Sequence, residues 1–132
     1  MMFNRIHHIA IICSNYDVSK DFYVNKLGFK VLAEVYRAER QSYKLDLAIN
    51  EVYQIELFSF PDPALRPSRP EATGLRHLAF EVNDVVLVSK QLNEKGIVTE
   101  PIRVDEFTGK KFTFFADPDG LPLEIYQSQI QG

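Results

Sequence analysis

The sequence predicts an α+β fold of two βαβββ modules whose curved sheets enclose a pocket, and three observations predict it. Residues 6–12 (IHHIAII) and 54–60 (QIELFSF) are echoed by residues 75–81 (LRHLAFE) and 121–127 (LPLEIYQ). His8 thereby matches His77 and Glu56 matches Glu124, and the histidine-to-glutamate separation in the two copies differs by a single residue. The third observation is the order of elements, one early helix followed by three strands in each copy.

In the first copy, residues 5–13 alternate as a strand, placing His8, Ala10 and Ile12 on one face and His7, Ile9 and Ile11 on the other. Asp17 to Leu27 reads as a helix with Asp17 as N-cap, an apolar stripe including Val18, Phe22 and Tyr23, and Gly28 at its C-terminal end. Strand signals follow at about 29–37, 43–50 and 53–60. The second copy has a strand at about 75–83, a helix from Asp84 to Lys95 closed by Gly96, and strands at about 97–104, 111–116 and 121–127. The DPDG turn at 117–120 joins the last two strands. Between the copies, residues 61–73 contain Pro61, Pro63, Pro67 and Pro70, four of the seven prolines, and read as a linker. The expected organisation is one domain: module one at about 4–60, the linker at 61–73, and module two at about 74–128.

At 132 residues and 45% hydrophobic content, the chain is long enough to bury a core. A net charge of −3 without a basic tract argues against nucleic acid as a partner. No apolar run approaches the roughly 18 residues needed to cross a bilayer, and the N-terminus has no secretory pattern. No membrane association is expected, and the expected compartment is the cytoplasm. Cys13 is the single cysteine, so no internal disulfide forms.

The four repeated residues carry the chemistry. A small residue, Ala10 or Ala79, lies two positions after each histidine on the same strand face and leaves room beside it. Each glutamate sits in a strand that otherwise reads as core, and burying an ionised carboxylate without a partner costs several kcal/mol. A divalent metal at His8, Glu56, His77 and Glu124 supplies the compensation, and the thiolate-free donor set suits zinc, nickel, cobalt, iron or manganese in a catalytic site. The plainer alternative, satisfied core histidines with glutamates paired to arginines, fits one such residue better than four in register. His7 is matched by Arg76 in the second copy and is read as a non-ligand pointing away from His8. Cys13 reads as a small buried thiol on the opposite face from His8. Phe112, Phe114 and Phe115 read as core or as a pocket wall.

Strand-borne HHIAI (7–11) and RHLAF (76–80), the helix with DFYVNKLGF (21–29) and the terminal FFADPDGLPLEI (114–125) resemble the vicinal oxygen chelate superfamily, also called the glyoxalase, bleomycin resistance and extradiol dioxygenase superfamily. The resemblance covers nearly the whole chain. It implies paired βαβββ modules, a divalent metal and a homodimer. The order His, Glu, His, Glu looks most like glyoxalase I, the lactoylglutathione lyase. That branch implies a small-molecule substrate or thiol hemithioacetal isomerised through a metal-bound enediolate, with Glu124 as principal base and Glu56 as second proton carrier. Other members imply an epimerase, a thiol transferase, a dioxygenase or a non-catalytic binding protein; epimerases of the superfamily typically have glutamine where Glu56 stands.

One departure concerns the substrate. Typical glyoxalase I enzymes grip the glutamyl end of glutathione with an arginine four residues after the first ligand histidine and an asparagine four after the first ligand glutamate. Ile12 and Phe60 stand there instead. Charge-assisted hydrogen bonds are commonly worth about 1.5–3 kcal/mol each, so replacement contacts are needed if a similar substrate binds. Arg37, Arg40, Arg66, Arg69, Arg103, Lys110 and Lys111 are the available cations.

Overall fold

Alternating apolar residues in each copy build a four-stranded mixed sheet. The computed structural model describes residues 1–128. The chain divides into two compact units between Leu65 and Arg66, within the proline-rich segment.

In the first unit the strands are β1 (Ile9–Cys13), β2 (Lys30–Arg37), β3 (Ser42–Ile49) and β4 (Val52–Ser59), ordered β1-β4-β3-β2. The β1 and β4 strands pair in parallel, and the other pairings are antiparallel. Leu45, Leu47, Ile55 and Leu57 are almost completely buried and form the centre of this unit's core, with Phe22 and Tyr23 contributed by the helical segment. That segment starts as α1 (Tyr16–Lys20), which packs on β4, and continues as a π-helical turn over Asp21–Lys26. Leu27 N–H donates to Phe22 O across five residues at 2.9 Å, and Gly28 at φ +81° turns the chain out of the helix. The cap is Asn15, whose Oδ1 accepts from Val18 N–H at 3.2 Å, and not Asp17 as expected. Asn15 has extended backbone angles and Asp17 is already helical, so only Asn15 can place its oxygen over the free amides.

Glu34 on β2 closes a surface contact with this helix, accepting from Lys20 Nζ at 2.7 Å and Tyr16 O–H at 2.5 Å. The Lys20 ammonium, and then the Tyr16 hydroxyl, hold the Glu34 carboxyl below its ordinary value. The folded state therefore keeps Glu34 ionised at a lower pH than the unfolded chain does. The contribution is complete above the unfolded carboxylate value and is lost as pH falls through the lower folded value. Glu34→Gln is expected to lower stability by about 0.5 kcal/mol at neutral pH, with the difference vanishing in acid, as read by urea denaturation across pH.

The second unit repeats the arrangement: β5 (Leu78–Val82), α2 (Val85–Glu94), β6 (Arg103–Val104), β7 (Lys111–Ala116) and β8 (Pro122–Gln127), ordered β5-β8-β7-β6 with β5 and β8 parallel. Asp84 caps α2 through Leu87 N–H at 3.0 Å, as expected from the sequence, and Gly96 at φ +82° follows its end. Leu123, Ile125, Phe115 and Val85 centre this core. The DPDG turn is closed by Gly120 N–H donating to Asp117 O at 3.0 Å, while Asp117 Oδ1 accepts from Asp119 and Leu121 N–H.

Three of the expected strands were too long. The second-unit strand expected at 97–104 is regular only over Arg103–Val104, because Thr99 bonds to Asn93 and Pro101 has no N–H for a ladder. Two bonds, Glu100 N–H donating to Phe114 O at 2.9 Å and Thr113 Oγ1 donating to Glu100 O at 2.7 Å, tether the segment to β7. The first strand of each copy also starts later than alternation implied, just after its histidine: Ile9 follows His8 and Leu78 follows His77. Among the described residues no helix is long and apolar enough to cross a membrane.

Candidate metal centre

Each unit brings one histidine to one glutamate at the joint between its parallel strands. Ala10 is the register partner of Glu56, and Ala79 is the partner of Glu124. The methyl side chain opposite each carboxylate leaves space into which the histidine two residues earlier reaches. His8 Nε2 lies 3.2 Å from Glu56 Oε2, and His77 Nε2 lies 3.3 Å from Glu124 Oε1. Both glutamates are buried, at 8% and 9% exposure, while their histidines are partly open.

These distances test the fit to a metal. Divalent zinc holds imidazole nitrogen and carboxylate oxygen at about 2.0–2.2 Å, so adjacent ligand atoms stand about 3.3–3.6 Å apart in a tetrahedron and about 2.8–3.1 Å apart in an octahedron. The pairs, at 3.2 and 3.3 Å, lie within the span of these edges, and both offer Nε2. Among the described residues no group of three or more His, Cys, Asp or Glu side chains gathers for a metal. Each unit supplies a pair.

The two pairs have different surroundings. Tyr53 O–H donates to Glu56 Oε2, and Lys44, ion-paired to Asp46 at 2.7 Å, stands 3.9 Å from Glu56 Oε1. Burial, the bond to Glu56 and the Asp46 charge push the Tyr53 hydroxyl well above its ordinary value, so it remains a donor. For Glu124, His77 Nε2 is the polar partner, and no lysine or arginine approaches it among the described residues. Sequence alternation places Tyr53 and Glu56 on opposite faces and so missed this contact. The register shift beside Leu47 and Ala48 pairs them with Ile55 and Tyr53, leaving Gln54 as an extra residue on β4. Such a bulge reverses the alternation and re-aims the side chain before it.

His7 also differs from expectation. Both histidines precede the regular strand, so they do not point apart: their Nδ1 atoms are 2.9 Å from each other, one donating to the other, and the rings meet edge to face. His7 additionally packs against Tyr53 at 5.5 Å between ring centroids. With His8 Nδ1 engaged by His7, Nε2 is left to face Glu56, the outer support that metal-binding imidazoles usually have. Tyr53→Phe is expected to weaken divalent-metal affinity about 10-fold, measured by competition with a chromophoric chelator, through loss of the bond that orients Glu56.

In the second unit His77 opens onto a cavity of about 760 Å³ whose lining includes Arg69, Arg76, Arg103, Glu100 and Phe114. Phe114 meets the His77 ring edge to face at 5.1 Å, and the Arg103 guanidinium lies over the rings of Phe112 and Phe114 at 5.0 and 5.6 Å. Phe114 and Phe115 both line the pocket, and Phe115 is also buried in the core. In the first unit Phe60 stacks with Phe58, and Arg37 lies over both rings at 5.9 and 5.0 Å. Ile12 is exposed and Cys13 is buried, the latter in agreement with the sequence reading.

The duplicated units with their His and Glu pairs are those of one class of protein, and the chain belongs to the Glyoxalase/Bleomycin resistance protein/Dioxygenase superfamily, whose model matches residues 5–125. Over 127 residues, 96% of this chain and 99% of the other, it is 65% identical to the protein YwkD of Bacillus subtilis (strain 168). A solved glyoxalase family protein from Enterococcus faecalis is 56% identical, covers 96% of this chain and 100% of its own, and superposes with a TM-score of 0.88. A more distant relative, Glyoxylase I 4 of Arabidopsis thaliana, is 29% identical over 91% of this chain and 68% of its own length.

Proposed function

We propose that the chain is a metal-dependent lyase or isomerase of glyoxalase I type, acting as a cytoplasmic homodimer on a small oxygenated substrate or its thiol hemithioacetal. The observation that carries this reading is the duplicated pair of buried glutamates, each within 3.3 Å of a histidine Nε2. His8, Glu56, His77 and Glu124 would hold the metal, zinc or nickel first and cobalt, manganese or iron next. When bound, the ion supplies a Lewis acid that lowers the cost of negative charge developing on substrate oxygen.

The protein's own groups divide the proton work. Glu124 takes the proton from the hydroxyl-bearing carbon beside the substrate carbonyl and returns it to the carbonyl carbon, while the hydroxyl proton passes to the former carbonyl oxygen, so the reaction is an isomerisation that needs no oxidant. Its freedom from other cations favours it over Glu56, which Tyr53 and Lys44 restrain and which acts as the second carrier. Phe114 packs edge to face on His77 in the wall of the pocket. Exposed Val31, Leu32, Val35 and Tyr36 on β2 support assembly with a second copy.

The test is turnover by metal-stripped protein reloaded separately with nickel, cobalt, zinc and manganese, using methylglyoxal with glutathione and with other thiols. Isomerisation of one adduct by at least one metal form is the expected result. Metal binding without turnover of any adduct would reject this substrate class.

A further inference from the structure

We infer that the substrate carries an anionic oxygen group, a carboxylate or a phosphate, seated on Arg69, Arg76 and Arg103 in the second-unit cavity. The inference deepens the proposed function and rests on it for the assignment of His77 to the reacting end.

Three arginines line a cavity that His77, a candidate ligand of the metal centre, also lines. Those of Arg69 and Arg76 have no carboxylate partner among the described residues, and Arg103 has only a long contact with Glu100, at 3.5 Å. The lining carboxylates, Glu71 and Glu100, are fewer than the arginines, so the wall is net positive from these side chains alone. Charges gathered without partners repel one another, and a bound anion relieves that repulsion. A guanidinium presents paired N–H groups in a plane, the geometry that carboxylate and phosphate oxygens accept.

The Arg103 side chain and the segment that carries Arg69 and Arg76 are also held in place. Arg103 lies on Phe114, and Phe114 touches the His77 ring, so one aromatic ring spaces the cation from the candidate metal ligand. Arg66 Nη2 donates to Leu75 O at 2.6 Å and to Arg76 O at 3.2 Å, while its Nε donates to Ser68 Oγ at 2.8 Å. Ser68 in turn donates to Gly120 O at 2.9 Å. These bonds fold the 66–76 segment back on itself and dock it on the DPDG turn, which brings Arg69 and Arg76 to the same rim. The polar anchors absent at Ile12 and Phe60 in the first unit thus have counterparts of different origin in the second.

The test is a nuclear magnetic resonance titration of the full chain, metal-free and metal-loaded, with inorganic phosphate and separately with pyruvate, following the arginine Nε–Hε signals. Saturable shifts at Arg69, Arg76 and Arg103 are expected, with affinity falling about tenfold in Arg103→Gln and in Arg69→Gln/Arg76→Gln and unchanged in Arg40→Gln. The probe that binds more tightly identifies the anion class. Absence of site-specific shifts with both probes, or affinities that the cavity substitutions leave unaltered, would overturn the inference. Because the metal-free protein is titrated and metal content is read separately, failure of the anion site and failure of the metal reading give different results.

Discussion

Glu124→Gln is expected to lower turnover about 10²–10⁴-fold while leaving most of the metal in place. The glutamine carbonyl can still ligate and has nearly the volume of the carboxylate, so the tightly packed positions beside it, Leu123 and Ile125, are undisturbed. What is lost is a group that can accept a proton and give it back. Glu56→Gln is expected to cost less, because Glu56 already accepts from Tyr53, which fixes the direction of one lone pair, and has the Lys44 charge 3.9 Å away. Steady-state rates of the two variants at matched metal occupancy check the order. Equal losses would remove the distinction drawn between principal base and second carrier.

His8→Ala and His77→Ala are each expected to weaken divalent-metal binding more than about 100-fold, beyond the 10–100-fold that loss of an outer hydrogen-bond partner typically costs. A single His–Glu pair supplies two donors, too few for a four-ligand site, so either substitution leaves the other half insufficient. Metal analysis after dialysis reads the effect directly. If only one substitution emptied the protein, the site would belong to one unit alone, and the duplication would be a relic of folding and not of chemistry. The folds of both variants should persist, since His8 and His77 are partly exposed and lie outside the regular strands.

The pairing of each histidine with its glutamate was legible in the sequence because two physical signals coincide. A carboxylate in an apolar strand is costly alone, and the same cost recurs at the matching place in the second copy. The alanine two residues after each histidine was legible for the same reason, and the register sets it opposite the carboxylate. Alternation, by contrast, carries no information outside regular strand. It placed His7 on the wrong side of His8, since β1 begins only at Ile9, and it missed Tyr53 because a bulge at Gln54 reverses the pattern. The short β6 shows a similar limit: Ile97 and Ile102 look strand-like, but Pro101 between them removes a ladder donor.

The cavity arginines were the least legible feature. Arg69 and Arg76 lie in a segment with no period, and their placement depends on Arg66 bonding to backbone carbonyls nine and ten residues onward. Arg103 is placed by stacking on β7 aromatics, a contact that neither hydrophobic pattern nor spacing encodes. Cation–aromatic contacts of this kind recur at Arg37, where the aromatic partner Phe60 had been read only as the loss of a polar anchor.

X-ray absorption of the cobalt- or zinc-loaded protein decides whether both His–Glu pairs bind one ion, because outer-shell scattering counts imidazoles on the metal. One metal per chain, bound by two imidazoles and by carboxylate oxygen at about 2.0–2.2 Å, is the expected result. A bound ion carrying one imidazole or none would contradict it, showing that the two His–Glu pairs do not act on the same metal.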